Sequence, residues 1–202
     1  MIAILDYGSG NLRSAQRACE TTGKKVVVTR NRGIALEAEG LVVPGVGAFA
    51  ACMQGLVAVG GDEIIRQRKE LGRPTLGICV GMQILFSEGS EKSRGASVST
   101  SGVGIWPGEV SRINSKILPH MGWNTVQSDS SSILFAGIEN ESFYFVHSYA
   151  AKKAVGELSA WGNYGEPFIA AVEDGSLMAT QFHPEKSGVA GLKLLKNWAA
   201  TL

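Results

Sequence analysis

The sequence predicts an α/β protein with a mixed, mostly parallel central sheet, flanking helices and added β-strands in its C-terminal half. Three observations carry this. Strand-like and helix-like segments alternate through the first half of the chain. Its strand-like segments are short, continuously apolar runs, as suits strands covered on both faces. Beyond a Ser- and Gly-rich stretch the pattern changes to a succession of strands with one closing helix.

Residues 2–6 (IAILD) read as a buried strand, 12–22 as a helix, 25–29 as a β-branched strand and 41–43 as a further short strand. A helical region over about 48–72 leads to a strand ending at Cys79, and a new helix opens at Val80. Residues 87–104 (SEGSEKSRGASVSTSGVG) carry few apolar side chains and predict a solvated loop. Strands follow at 108–113, 124–127, 143–149, 168–172 and 176–183, the last two joined by a hairpin turn at Glu173-Asp174-Gly175. Val189, Leu192, Leu195 and Trp198 then recur at helical spacing within 188–200, predicting a helix packed on the sheet. No internal repeat and no compositional boundary divides the 202 residues, which are read as one domain.

Nineteen basic and eighteen acidic side chains leave a net charge of +1, so no charge excess points to nucleic acid or to an anionic membrane. The opening apolar run meets Asp6 too soon for a signal peptide, and no later run approaches a membrane span. Cys19, Cys52 and Cys79 are odd in number and widely spaced, which fits neither a disulfide framework nor a zinc ribbon. A reduced, cytoplasmic protein without a bound metal is the expectation.

The stretch GICVGMQ places Cys79 between Gly77 and Gly81 at a strand-to-helix junction. A tight turn there strains its apex residue and crowds the chain on either side, so glycine two positions away in each direction is the thiol counterpart of a nucleophile elbow. The unpaired N–H groups at the start of the helix favour the thiolate. Cys19 and Cys52 lie on helix-like segments and read as core. Among three histidines, His183 stands out in Gln181-Phe182-His183-Pro184-Glu185-Lys186, where Glu185 can orient the imidazole from two residues away on an extended backbone. His120 and His147 have no neighbouring carboxylate. For a tetrahedral oxyanion, the Val80 N–H is one donor, and the glycine-rich turn Pro44-Gly45-Val46-Gly47-Ala48 offers a second. The turn Asp6-Tyr7-Gly8-Ser9-Gly10-Asn11-Leu12-Arg13 holds two glycines of a dinucleotide fingerprint, with Arg30 as a conceivable phosphate ligand. Arg13 occupies the third glycine's place, so that reading is set aside.

GICVGMQ with the downstream HPEKS resembles the class I, triad-type glutamine amidotransferases. DYGSGNLRS, PGVGAF, PHMGWN and FYFVHSY resemble, in order, the glutaminase subunits of the imidazole glycerol phosphate synthases of histidine biosynthesis, so the resemblance runs from residue 6 to 187. It implies a flavodoxin-like amidotransferase fold, glutamine as substrate, a γ-glutamyl thioester on Cys79 and no cofactor. By motif position His183 is base and acid, Glu185 orients it, and Val46 and Val80 supply the oxyanion amides. Gly47, Gln83, Ser148 and Tyr149 are implied to hold glutamine. The resemblance further implies a heterodimer with a (β/α)₈-barrel cyclase subunit that receives the ammonia. Asn11 or Leu12, Trp123, Tyr144 and Lys186 then face that partner, and hydrolysis is weak until the partner and its ligand are bound. Val80 replaces the leucine more usual after the cysteine, a change of little weight where only the backbone amide is used.

Overall fold

The structure, a computed structural model, describes residues 1–91 and 99–202. Four strands of the first half, β1 (Ile2–Leu5), β2 (Val26–Thr29), β3 (Gly40–Gly45) and β4 (Thr75–Cys79), lie parallel. From the second half, β13 (Leu177–Thr180) joins β4 in parallel, and β12 (Pro167–Asp174) and β11 (Leu158–Asn163) continue antiparallel. The seven-stranded order is β11-β12-β13-β4-β3-β1-β2. Central strands β1, β3, β4 and β13 are buried at every residue, which is why they read as unbroken apolar runs. The expected hairpin stands, with Asp174 paired to Leu177 and Gly175 at φ 59° in the turn.

The helices are α1 (Leu12–Glu20), α2 (Arg32–Glu37), α3 (Phe49–Ala58), α4 (Gly61–Glu70), α5 (Val80–Gln83) and α6 (Gly188–Ala199). The helical region over 48–72 is two helices, because Gly60 turns left-handed at φ 65° between them. Arg68 of α4 is fully buried and ties together the end of α2 and the connections that lead into β3 and β4. It donates to the carbonyls of Ala35, Leu36, Ala38, Glu39 and Pro74 and to Thr75 Oγ1.

A second sheet, in the order β10-β7-β5-β6, is built from β5 (Phe86–Gly89), β6 (Thr100–Ser101), β7 (Trp106–Arg112) and β10 (Tyr149–Ala151). The loop expected over 87–104 is therefore corrected at both ends, where β5 and β6 pair antiparallel; residues 92–98 lie outside the described residues. A separate ribbon joins β8 (His120–Thr125) to β9 (Ser142–His147). The single strand expected over 143–149 is likewise two strands, because the chain leaves one sheet for another at Ser148. Helix α2 and strand β11 were not expected. Among the described residues no helix is long and apolar enough to cross a membrane.

Candidate active site

Parallel neighbours bring their C-terminal ends to one edge of a sheet, where open α/β folds place their chemistry. Here β4 ends on Cys79, β3 on Gly45 directly opposite it, and β13 leads out through Gln181 to His183. Cys79 is the sole non-glycine residue at positive φ among those described, at φ 57° and ψ −113°. A conformation of that kind costs about 1–3 kcal/mol and persists only where its surroundings enforce it. The glycines provide the enforcement. A β-carbon on Gly77 would lie 2.7 Å from Gly81 O, and one on Gly81 would lie 1.9 Å from Val43 O. The helix after the cysteine is only four residues long, so the favourable field on the sulfur is that of a single turn of N–H groups.

Glu185 reaches His183 by a route other than the one expected. Residues Pro184–Lys186 form one 3-10 turn in place of an extended strand, with proline at its first position, and Glu185 Oε1 lies 2.8 Å from His183 Nδ1. Both side chains are almost entirely buried, at 3% and 4% exposure. His183 Nε2 is buried and has no hydrogen-bond partner among the described residues. Burial disfavours a charged imidazole, yet the interactions with Cys79 and with the Glu185 carboxylate prevail and hold the His183 pKa up at about 9.

Cys79 and His183 share a cavity of about 290 Å³ with Val46, Gly47, Val80, Gln83, Ser148 and Tyr149. Lys186, expected at a partner surface, lines the same cavity. So does Glu91, whose Oε2 accepts from Phe49 N at 2.8 Å and so caps α3. No local pattern marks Glu91, which is embedded in a Ser- and Gly-rich run.

Val46 departs from its expected role in this conformation. Its N–H donates to Ser9 Oγ at 3.0 Å, and Ser9 Oγ donates to the Val46 carbonyl at 2.8 Å. Cys52 Sγ closes the cluster, 3.1 Å from Ser9 Oγ and 3.3 Å from Val46 O. The Val46 amide is thus committed to the first βα turn and is not free to serve an oxyanion. Arg30 is equally committed, to Asp6 at 2.8 Å.

The remaining histidines are a neutral pair. Tyr149 O can only accept, so His147 carries its proton on Nδ1, 3.0 Å away. His120 Nδ1 then donates to His147 Nε2 at 3.1 Å, and Asn124 Nδ2 donates to His120 Nε2 at 3.3 Å. Burial pushes His120 down to about 4 and His147 down to about 3, which keeps both uncharged and makes them weaker bases than His183.

Comparison with known proteins places the chain in a family. The family model for class-I glutamine amidotransferases matches residues 3–202. The chain belongs to that family. It is 57% identical over 205 residues to the imidazole glycerol phosphate synthase subunit HisH of Mycolicibacterium paratuberculosis, covering 100% of this chain and 98% of that one. It is 54% identical over 211 residues to the protein of the same description from Thermobifida fusca, with coverage of 100% and 98%. Among solved structures, one described as a glutamine amidotransferase aligns with a TM-score of 0.74 at 18% identity, covering 99% and 97% of the two chains. PurLQS from Thermotoga maritima aligns at 0.71 and 19%, covering 98% and 97%. These two likenesses concern the amidotransferase fold alone.

Within this amidotransferase the residues expected to face a partner flank the site on two sides. Asn11 caps α1 and accepts from Ser14 N, with Leu12 half-buried beside it. A β-carbon on neighbouring Gly10 would lie 2.8 Å from Pro44, so this turn packs directly on the Val46 turn. Across the site, Trp123 is 59% exposed and pairs with Tyr144 edge to face. Tyr144 O accepts from His183 N at 3.0 Å, which fastens the ribbon to the catalytic candidate itself.

Proposed function

We propose that this chain is the glutaminase subunit of an imidazole glycerol phosphate synthase, hydrolysing glutamine in histidine biosynthesis with Cys79, His183 and Glu185 as its triad. The observation that carries the residue assignment is Cys79 at positive φ on the floor of the cavity into which the Glu185-oriented His183 also opens. The relatives' descriptions support the rest.

The Cys79 thiolate attacks the γ-carbonyl carbon of glutamine, and His183 gives its proton to the amide nitrogen. The C–N bond breaks, ammonia leaves, and a γ-glutamyl thioester remains. Water then attacks the thioester carbonyl and loses a proton to His183; the C–S bond breaks, releasing glutamate and restoring the thiolate beside imidazolium. Val80 N–H serves the oxyanion throughout. Val46 N–H joins it only after leaving Ser9, so the conformation described here is a resting one. Gly47, Gln83, Ser148 and Tyr149 hold the substrate, and the Glu91 carboxylate meets its α-ammonium group.

The ammonia passes to a (β/α)₈-barrel cyclase subunit in a cytoplasmic heterodimer. Asn11, Leu12, Trp123, Tyr144 and Lys186 form the contact with that partner, which yields imidazole glycerol phosphate and the aminoimidazole carboxamide ribotide. The test is glutamate release by the chain alone and then with the cyclase subunit and its nucleotide ligand, with Cys79→Ser as control. A large, Cys79-dependent rise on adding the liganded partner is expected. A complex that forms and releases no glutamate under any condition would leave only a scaffold role.

A further inference from the structure

Gln181 has no part in the steps above, yet it is fully buried and its side chain ends on the nucleophile. Its Nε2 lies 3.8 Å from Cys79 Sγ, and its Oε1 accepts from Gln83 Nε2 at 3.0 Å. A carboxamide can be built either way round, so its direction has to follow from its neighbours. The Tyr149 carbonyl decides it. That oxygen only accepts, so Gln83, 2.8 Å away, must turn its nitrogen toward it. The second hydrogen on the same nitrogen then requires an oxygen, which Gln181 supplies. The Gln181 nitrogen is left facing sulfur. Reversing Gln181 alone would set nitrogen against nitrogen, and reversing both would set two oxygens together at Tyr149.

We propose that Gln181 is a hydrogen-bond donor to the Cys79 thiolate, locked in the donating orientation by the Tyr149 carbonyl acting through Gln83. The proposal rests on the glutaminase reading for the role of Cys79 as nucleophile. Gln181 is absent from the cavity lining, so it meets the sulfur from the protein side and leaves the substrate side open. A fixed N–H dipole away from water favours negative charge on the atom it faces. Sulfur is negative before attack and again as the C–S bond breaks, and it is uncharged in the thioester between. The donor therefore supports both the nucleophile and the leaving group. Both amide hydrogens of Gln83 are spent in this arrangement, so Gln83 offers only its oxygen to anything bound in the cavity.

The test is the pH dependence of Cys79 alkylation by iodoacetamide, followed by peptide mass mapping to separate Cys79 from Cys19 and Cys52. Gln181→Met keeps the length of the side chain and removes the donor. Its profile is expected to move to higher pH by about one unit, which is about a tenfold loss of rate at neutral pH. Gln181→Glu keeps the acceptor for Gln83 and adds an anion, so its profile moves further the same way; it carries the test if the Met variant does not fold. An unmoved profile in a variant whose circular dichroism is native overturns the proposal, since lost packing lowers the melting temperature without shifting alkylation. The readout uses neither glutamine nor a partner. A shifted profile in a chain that never releases glutamate would uphold this donor and sink the glutaminase reading, and normal release with an unmoved profile would do the reverse.

Discussion

Removing the Ser9 hydroxyl should release the Val46 peptide. Ser9 Oγ both accepts from Val46 N, at 3.0 Å, and donates to Val46 O, at 2.8 Å. A neutral hydrogen bond contributes about 0.5–1.5 kcal/mol net, and because Val46 is 44% exposed, water takes over part of the loss in the variant. The bias toward the resting turn therefore falls by about 1–2 kcal/mol, equivalent to ~5–30-fold in the population with a free Val46 amide. Ser9→Ala should raise glutamate release by the chain alone by that factor. If the liganded partner releases the turn as proposed, the rate with that partner should stay as it was, so the activation ratio shrinks. A coupled glutamate dehydrogenase assay reads both rates. An unchanged or lower basal rate in a natively folded Ser9→Ala chain would refute the account of Ser9 as the restraint.

Three further outcomes follow from the same geometry. His183 is held at about 9 against an ordinary 6.5, burial being outweighed by Cys79 and Glu185. A raised pKa stabilises the fold fully below the unfolded value and ceases to do so as pH rises through the folded one. The urea midpoint should accordingly decline between pH 6.5 and 9, and Glu185→Gln should flatten that decline. Glu91→Gln keeps an acceptor for Phe49 N and loses the carboxylate in the cavity, so steady-state kinetics should show a raised KM for glutamine with little change in kcat. Arg68→Met strips the buried donor from five carbonyls and should destabilise the chain by about 3–5 kcal/mol in denaturant unfolding.

What could be read from sequence alone was local. The parallel half announces itself through short apolar runs alternating with helical stretches, and Cys79 through Gly77 and Gly81, because those requirements act within a few residues. The short helix α2 had a signal too, since Asn31 caps it by accepting from Ile34 N, but six residues show too little periodicity to stand out. Strand β11 (LSAWGN) mixes small and polar residues and takes its form from pairing with β12. Site features that escaped the sequence depend on partners distant along the chain. Val46 is turned by a serine 37 residues away, and Gln181 reaches a sulfur 102 residues away. Glu91 gained its place from the cavity, having looked like one more polar residue of a loop.

The backbone angle at Cys79 also bears on how such a chain ages under mutation. Held at φ 57°, the residue carries a β-carbon where glycine would sit free of strain. Cys79→Gly should relieve about 1–3 kcal/mol of backbone strain, offset in part by the lost interaction of the sulfur with His183 and by the greater freedom of glycine in the unfolded chain, while ending the chemistry. A lineage with no further use for glutamine hydrolysis would meet that strain as a standing bias toward glycine, one codon change from a thiol to hydrogen. Cys79 thus stands where the backbone itself favours glycine.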